Sequence, residues 1–193
     1  RGGYRLNHDV SGRWLGPAEK GIVSQARNVW FFARIARTRF GRPEHLPAAR
    51  HGYEFLRTKM WDAERGGFFW SVDAGGAPAR TEKHLYGQAF GLYALSEYAI
   101  ASGDAEAAGL AGRLFRLLEE RAHDGAHGGY RESFARDWSE MPPDAMSPMG
   151  LPSGLKLMNT HLHLMEALTT YVRLSKDPLA RERLLELIFI QSN

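Results

Sequence analysis

The feature that most constrains the fold of this chain is a pair of glycines followed by an aromatic residue, which occurs three times. The copies are separated by 64 and 62 residues: Gly2-Gly3-Tyr4, Gly66-Gly67-Phe68 and Gly128-Gly129-Tyr130. Each copy begins a short extended segment that ends in a polar turn, and two helical patterns follow it. The sequence therefore predicts three copies of one structural unit, near residues 1–65, 66–127 and 128–193.

The second helix of each unit has the spacing of a helix with one apolar face. Its apolar positions are Ala49, Tyr53, Leu56 and Met60 in the first unit and Leu110, Leu114, Leu117 and Leu118 in the second. Two helix starts carry clear capping signals: Asp104 as an N-cap, and Asp177 as an N-cap before Pro178. These helices are predicted to lie on the outside of the fold.

The first helix of each unit, roughly 19–37, 82–101 and 155–175, is apolar almost all round but includes large polar side chains. Such a helix is buried on two sides, one against the outer helices and the other against something that makes polar contacts. This pattern is typical of the inner ring of an α/α barrel.

Three helical hairpins cannot close a ring, and six at this period would need roughly 380 residues. We therefore expect an all-α fold that is half of an (α/α)6 barrel, with short β-turn segments at the Gly-Gly-aromatic repeats. Residues 1–193 would form a single partial domain. The start at Arg1 and the uncovered apolar helix at the end suggest a piece of a longer chain. An open helical solenoid that binds a partner protein is the alternative.

Composition excludes several classes of function. There is no cysteine, so disulfides, thiolate metal sites and cysteine nucleophiles are excluded, and a reducing cytoplasm suits the chain. The net charge of +3 comes from scattered residues, which makes nucleic acid a poor candidate partner. No apolar run reaches the ~18 residues of a membrane span. A small-molecule ligand is favoured, and the oligomeric state is open.

The segment Lys156–Glu166 holds the densest group of candidate functional side chains. On a helix, Asn159, His163 and Glu166 share a face, where they could bind sugar hydroxyls or relay a proton. The alternative is that a histidine here is a core residue whose ring nitrogens are satisfied by internal hydrogen bonds. His161 and His163 point about 200° apart on a helix, so a shared metal ion is disfavoured.

Arg27 and Tyr86 lie in the other two inner helices. Arg27 has aromatic and aliphatic neighbours, so we expect a buried guanidinium that needs acceptors. It could stabilise a developing oxyanion or form an internal salt bridge, for example to Glu97, and composition leaves both open. Tyr86 precedes Gly87 and Gly91; a glycine inside a helix costs about 1 kcal/mol relative to alanine, which favours close helix packing.

Five segments, in order along the chain, resemble the N-acylglucosamine 2-epimerase family, and within it the cellobiose 2-epimerase and mannose isomerase members. The segments are Gln25–Trp30, Gly66–Asp73, Lys83–Phe90 with Tyr93–Tyr98, Gly128–Tyr130, and Met158–His163. They span nearly the whole chain. The resemblance is specific for the family and does not identify the sugar.

The resemblance implies an (α/α)6 barrel that acts on a free reducing mono- or disaccharide without a redox cofactor, and we expect no cofactor and no metal. In this family the sugar ring opens, a histidine removes the proton at C2, and an enediolate forms. By motif, Arg27 would contact O1 and O2, and His163 would assist ring opening or binding. Tyr86 and Asn159 would contact the sugar, with Trp30 as a wall of the site.

The sequence departs from the family pattern in two respects. It lacks the family's Gly-His-x-x-Glu-x-x-Trp motif and the later segment with a second acid/base histidine. We therefore expect these 193 residues alone to be catalytically incompetent. Leu157 also stands where relatives usually have Ser or Thr.

Two other classes of function compete with the epimerase. A non-catalytic helical-repeat binding module predicts that the candidate residues are only structural. An (α/α)6 glycoside hydrolase, ranked third, needs two paired carboxyl groups. Asp73, Asp137 and Glu132 lie on turn segments with no clear partner in the sequence.

Overall fold

The computed structural model describes residues 2–192, so Arg1 and Asn193 at the ends of the first and third predicted units lie outside it. The described chain is dominated by helices that follow one another in three pairs. They are α1 (Ile22–Ala36), α2 (His45–Phe55), α3 (Leu85–Ser102), α4 (Ala105–Arg121), α5 (Met158–Ser175) and α6 (Pro178–Ser192). Within this part of the chain, no helix combines the length and apolar character needed to cross a membrane.

The helices form two layers. α3 lies between α1 and α5, and each of these three helices also packs against the helix that follows it. The core between the layers is apolar and includes Val29, Tyr53, Leu95, Leu114 and Leu168. This arrangement leaves one face of the α1–α3–α5 layer for other contacts.

Short antiparallel strands join neighbouring units at the ends of the inner helices. The first sheet has the order β1 (Lys20–Gly21), β2 (Ser71–Val72), β3 (Pro78–Arg80), and the second pairs β4 (Lys83–His84) with β5 (Ser133–Phe134). The strand before α1 and the strand before α3 thus each pair with the extended segment of the next unit. The sheets set α1, α3 and α5 side by side.

The predicted inner helices are present, but each begins three residues later than expected. The predicted burial on two sides is correct for α3 and wrong for α1 and α5, which expose Arg27, Phe31 and Leu162. Within the inner layer, α3 has a helix on either side. α1 and α5 each have an inner-layer neighbour, α3, on one side only within residues 2–192.

The outer helices are close to expectation. α2 ends at Phe55 and continues as a π-helical turn, Leu56–Met60, which still buries Leu56 and Met60. The Asp104 carboxylate accepts the N–H of Ala107 at 2.9 Å, which confirms the predicted N-cap. Asp177 accepts the N–H of Leu179 at the start of α6 in the same way, also at 2.9 Å.

The Gly-Gly-aromatic repeats are held by one contact that recurs in every unit. A side chain in the first turns of the inner helix binds the backbone of the aromatic residue: Gln25 binds Tyr4, Gln88 binds Phe68, and His161 binds Tyr130. We call Gln25, Gln88 and His161 the anchor residues. Both glutamines accept the aromatic residue's N–H and donate to its carbonyl, whereas His161 accepts the N–H only.

The anchor contact explains the second glycine of each pair. Gly3, Gly67 and Gly129 have φ near +70°, a conformation that strains other residues. A Cβ atom at these positions would lie 2.7, 3.0 and 2.9 Å from the anchor atom of its own unit. The glycines are therefore needed for close approach as well as for backbone conformation.

Candidate active site

The anchor residues define equivalent positions on the three inner helices. Two residues after the anchor stand Arg27, Phe90 and His163; two residues before it stand Val23, Tyr86 and Asn159; five residues after it stand Trp30, Tyr93 and Glu166. All five candidate residues fall in these three sets. Since α1, α3 and α5 lie side by side, each set forms a row across the inner layer.

Three of the candidate side chains meet at Phe90. The Arg27 guanidinium carbon lies 5.4 Å from the centre of the Phe90 ring, and the His163 ring lies 4.7 Å from it. Tyr86 contacts both Phe90 (5.1 Å) and His163 (5.2 Å), edge-on in each case. The structure therefore brings Arg27, Tyr86 and His163 together, with a phenyl ring as their common support.

The expected burial of Arg27 and its alternative salt bridge are both wrong. Arg27 is exposed, and Glu97 instead pairs with Arg37 at 2.6 Å and Arg34 at 3.6 Å. Within residues 2–192 Arg27 forms no hydrogen bond or ion pair, so its guanidinium N–H groups face solvent. An arginine held by a cation–π contact and not neutralised can bind an anionic or polar ligand oxygen.

His163 is fixed by a carboxylate on its own helix. Its Nδ1 lies 2.7 Å from Oε2 of Glu166, one turn further along α5. An ionised carboxylate only accepts hydrogen bonds, so the proton of the neutral imidazole is on Nδ1. Nε2 is then available to accept a proton from a ligand.

Among the described residues, Asn159 and Trp30 form no hydrogen bond or ring contact with this group. Asn159 is exposed in the first turn of α5 and, within the described residues, forms no hydrogen bond. Trp30 is half-buried and packs on Tyr93 with ring centres 5.0 Å apart. Asn159 therefore presents a free amide, and Trp30 with Tyr93 presents an aromatic surface.

His161 has a structural place, unlike His163. It is buried, its Nε2 accepts the N–H of Tyr130 at 3.0 Å, and its Nδ1 donates to the carbonyl of Leu157 at 2.9 Å. Burial lowers its pKa, which fits this neutral form. Among the described residues, no group of three or more His, Asp or Glu side chains is arranged to hold a metal ion.

Glu132, which has no clear partner in the sequence, is buried and hydrogen-bonded. Its carboxylate accepts from Thr160 Oγ1 at 2.7 Å and from the N–H of Leu157. Burial raises the pKa of Glu132 to about 7 and lowers that of the neighbouring His84, 4.0 Å away, to about 4. Both groups are therefore mostly uncharged in weakly acidic solution.

Asp73 and Asp137 do not form a pair of the kind that a glycosidase needs. Each carboxylate accepts hydrogen bonds from the backbone of its own turn: Asp73 from Gly75 and Ala77, and Asp137 from Ser139. These contacts stabilise turns. They give no support to the glycoside hydrolase alternative.

Sequence reasoning missed Phe90 and Tyr93 as parts of the site. Both are aromatic residues in an apolar helix and look like core residues. The signal that could have found them is their spacing in the sequence. Phe90 and Tyr93 follow Gln88 by two and five residues, as Arg27 and Trp30 follow Gln25. A cavity of about 630 Å³ lies elsewhere, lined by Arg5, Trp14, Lys20 and His51 among others, and does not include the candidate residues.

Comparison with known proteins gives a consistent picture. A sequence model of the N-acylglucosamine 2-epimerase family matches residues 2–190. A cellobiose 2-epimerase from Ruminococcus albus is 42% identical over 167 residues, 86% of this chain and 42% of that protein. A D-mannose isomerase from Marinomonas mediterranea is 28% identical over 177 residues, 92% of this chain and 41% of that protein.

The fold is also similar to solved structures. The structure of a cellobiose 2-epimerase from Spirochaeta thermophila superposes with a TM-score of 0.87 at 43% identity, covering 98% of this chain and 46% of the other. The chain thus spans less than half the length of the relatives that it matches.

Proposed function

The chain belongs to the N-acylglucosamine 2-epimerase family, and from this we propose that it supplies part of the active site of a sugar 2-epimerase or aldose–ketose isomerase. The reaction would pass through an enediolate. The substrate would be a free reducing mono- or disaccharide, of the N-acylglucosamine, cellobiose or mannose type. The relatives' names, cellobiose 2-epimerase and D-mannose isomerase, support this class of substrate.

The observation that carries this proposal is the meeting of Arg27 and His163 at Phe90. A free guanidinium and a free imidazole nitrogen share one supporting ring on an accessible face. Enediolate chemistry needs both kinds of group, because negative charge develops on the sugar's O1 or O2 while protons move.

Each residue then has a definite role in the proposed reaction. His163 Nε2 takes the proton of the O1 hydroxyl as the ring opens, and the imidazolium returns a proton to O5. Arg27 donates hydrogen bonds to O1 and O2, where charge grows when the C2 proton leaves. The Asn159 amide and the Tyr86 hydroxyl bind sugar hydroxyls, and Trp30 packs against an apolar face of the sugar.

The remaining part of the proposal concerns the whole enzyme. The three helix pairs would be half of an (α/α)6 barrel, a single partial domain whose inner helices face the sugar. Because the matched region is less than half of the relatives' length, we propose that groups outside it exchange the C2 proton. The 193 residues alone would then bind sugar weakly and not turn it over.

The test is exchange of the C2 proton in the natural protein in which this chain occurs. Incubation with cellobiose, mannose and N-acetylglucosamine in D2O should place deuterium at C2 of at least one sugar. Arg27→Met should reduce the exchange by about 100-fold or more, as expected for loss of an oxyanion donor. Arg113→Met, at an exposed arginine of α4, is the matched control. Lack of exchange with every sugar would favour the binding module instead.

A further inference from the structure

A buried carboxyl group lies between the first turns of α3 and α5, the helices that carry Tyr86, Asn159 and His163. Glu132 is only 2% exposed. Its backbone carbonyl accepts the N–H of Leu85, the first residue of α3, at 2.8 Å. Its side chain reaches the start of α5, and Oε2 also lies 4.0 Å from Nε2 of His84, the residue before α3. One residue therefore touches both helices.

The Glu132 side chain holds the start of α5 in place. Leu157, the residue before α5, has no polar side chain that could cap the first N–H groups of the helix. The Glu132 carboxyl group accepts the N–H of Leu157 and the hydroxyl of Thr160, which lies in the first turn of α5 and is itself fully buried. Glu132 therefore binds both the residue that enters the helix and a side chain of its first turn.

The equivalent position in the second unit shows that the fold does not require an acid here. Trp70 follows Phe68 as Glu132 follows Tyr130, and the Trp70 carbonyl accepts the N–H of Ile22 at the start of α1 at 3.0 Å. The Trp70 side chain fills the space between α1 and α3 and contacts His84 edge-on. Within the described residues, an acid at this position lies between α3 and α5, and a tryptophan takes its place between α1 and α3.

We propose that Glu132 is a positioning residue, which holds the first turn of α5 against that of α3 so that Asn159 and His163 stay aligned with Tyr86. The effect of Glu132 on catalysis rests on the proposed function. Its effect on geometry, which is to keep the edge-on contact between Tyr86 and His163, is independent of that function. Misplacement of a reacting group by about 1 Å can reduce a rate by about 100-fold.

The proposal predicts that the hydrogen bonds of Glu132 matter and its charge does not. A glutamine can accept the N–H of Leu157 with its oxygen and donate to Thr160 Oγ1 with its nitrogen, because a hydroxyl both donates and accepts. A protonated carboxyl group has the same pattern, which agrees with the raised pKa of Glu132. Glu132→Gln should therefore rescue what Glu132→Ala loses.

The kinetic experiment compares four variants of the natural protein that contains this chain. Glu132→Ala should lower kcat/KM by up to about 100-fold, chiefly through kcat, and Glu132→Gln should remain close to wild type. Thr160→Val removes one hydrogen bond with little change of shape, and its kcat/KM should lie between those of Glu132→Ala and wild type. This variant tests the proposal even if Glu132→Ala does not fold. Thr169→Val, whose hydroxyl bonds within α5 to Met165, is the matched control and should have no effect.

A measurement without sugar separates this proposal from the proposed function. In NMR spectra of histidine-labelled protein, the neighbouring Tyr86 and Phe90 rings should shift the ring-proton signals of His163, which can be assigned with His163→Asn. Thr160→Val and Glu132→Ala should move these signals toward the values of an exposed histidine, whereas Glu132→Gln and Thr169→Val should not. This result would support the positioning role even if no sugar were turned over. Unchanged signals in Thr160→Val, or an equal change in Glu132→Gln and Glu132→Ala, would overturn it.

Discussion

At the scale of single residues, His163 and Asn159 share the accessible face of α5 but differ in chemistry. The imidazole can accept and return a proton through Nε2, because Glu166 occupies Nδ1. The Asn159 amide can only donate and accept hydrogen bonds. A group that moves a proton acts mainly in the transition state, whereas a binding group acts in the ground state as well.

We therefore predict that His163→Ala reduces kcat more than Asn159→Ala does. General acid–base assistance contributes about 10²–10⁴-fold in rate, while a neutral hydrogen bond contributes about 0.5–1.5 kcal/mol. Steady-state kcat and KM of both variants on the preferred sugar, with circular dichroism to check folding, give the answer. If His163→Ala raised KM and left kcat unchanged, His163 would be a binding group and its role in ring opening would have to be abandoned.

How far single residues could be predicted depended on how unusual they are in their setting. Arg27 and His163 were identifiable because a charge or an imidazole in an apolar helix needs an explanation. The burial of Arg27 was mispredicted because apolar neighbours in the sequence suggest a helix covered on all sides. They do not show that α1 has an inner-layer neighbour on one side only. Phe90 was missed because a phenyl ring in a core helix needs no explanation at all.

At the scale of an element, each Gly-Gly turn combines a strained backbone with a close contact. Gly67 has a φ of 70°, and a Cβ atom there would lie 2.5 Å from Trp138 and 3.0 Å from Gln88. Gly103 has a similar φ of 72° at the end of α3, but nothing lies within 4 Å of the added atom. The two positions therefore separate backbone strain from collision.

Gly67→Ala should destabilise the protein more than Gly103→Ala. Backbone strain at a positive φ costs about 1–3 kcal/mol in both variants. Gly67→Ala should in addition break the contact with the anchor residue Gln88 and displace the Trp138 ring. Gly125→Ala, at an exposed position without positive φ or close neighbours, should change stability by less than about 0.5 kcal/mol. Urea unfolding of the three variants measures these differences. Equal effects at Gly67 and Gly103 would mean that the anchor contact adds nothing.

The anchor of the third unit should be sensitive to acid, unlike the other two. Protonation of His161 puts a hydrogen on Nε2, which faces the N–H of Tyr130, and two donors cannot bond. Its pKa is lowered by burial, so the stability it contributes is present above the usual histidine pKa of about 6.5 and is lost as pH falls through its lower value in the folded protein. Glu132, 3.6 Å away, is itself largely protonated there and offers little compensation.

His161→Gln should therefore make the third anchor resemble the first two. We expect the loss of Tm between pH 7.5 and pH 5 to be smaller in this variant than in wild type. His84, whose pKa is also lowered by burial, is present in both proteins, so the difference between them belongs to His161. An identical pH dependence of Tm would show that His161 does not lose its contact on protonation.

The helix boundaries show what a sequence can say about an element. Asp104 and Asp177 were correctly predicted as caps because each bonds within its own turn. The starts of the inner helices were predicted three residues too early because none has an Asp, Asn, Ser or Thr cap that marks it in the sequence. α1 has no capping side chain, α3 is capped by the ring of His84, and the start of α5 is held by Glu132 from another segment.

At the scale of the whole molecule, α3 is the centre of the fold. It packs against α1, α2, α4 and α5, and its buried residues run along nearly its whole length. α6 packs mainly on α5 and exposes Leu185, Ile188 and Phe189. Local opening should therefore be rare in α3 and frequent in α6.

Hydrogen exchange followed by mass spectrometry should show this order. Amides of α3 should exchange only through global unfolding, and their protection should fall with denaturant as stability falls. Amides of α6 should exchange faster, through local opening. Exchange of α6 as slow as that of α3 would contradict the packing hierarchy described above.

The three anchors also bear on how a chain of this kind diversifies over evolutionary time. Each unit has the same backbone contact, while the residues two and five places along the helix are an arginine and tryptophan, a phenylalanine and tyrosine, and a histidine and glutamate. A mutation at those places changes what a ligand meets without touching the backbone contact. Single substitutions at those places could thus give each unit its own ligand contacts, and a new specificity would not need a new architecture.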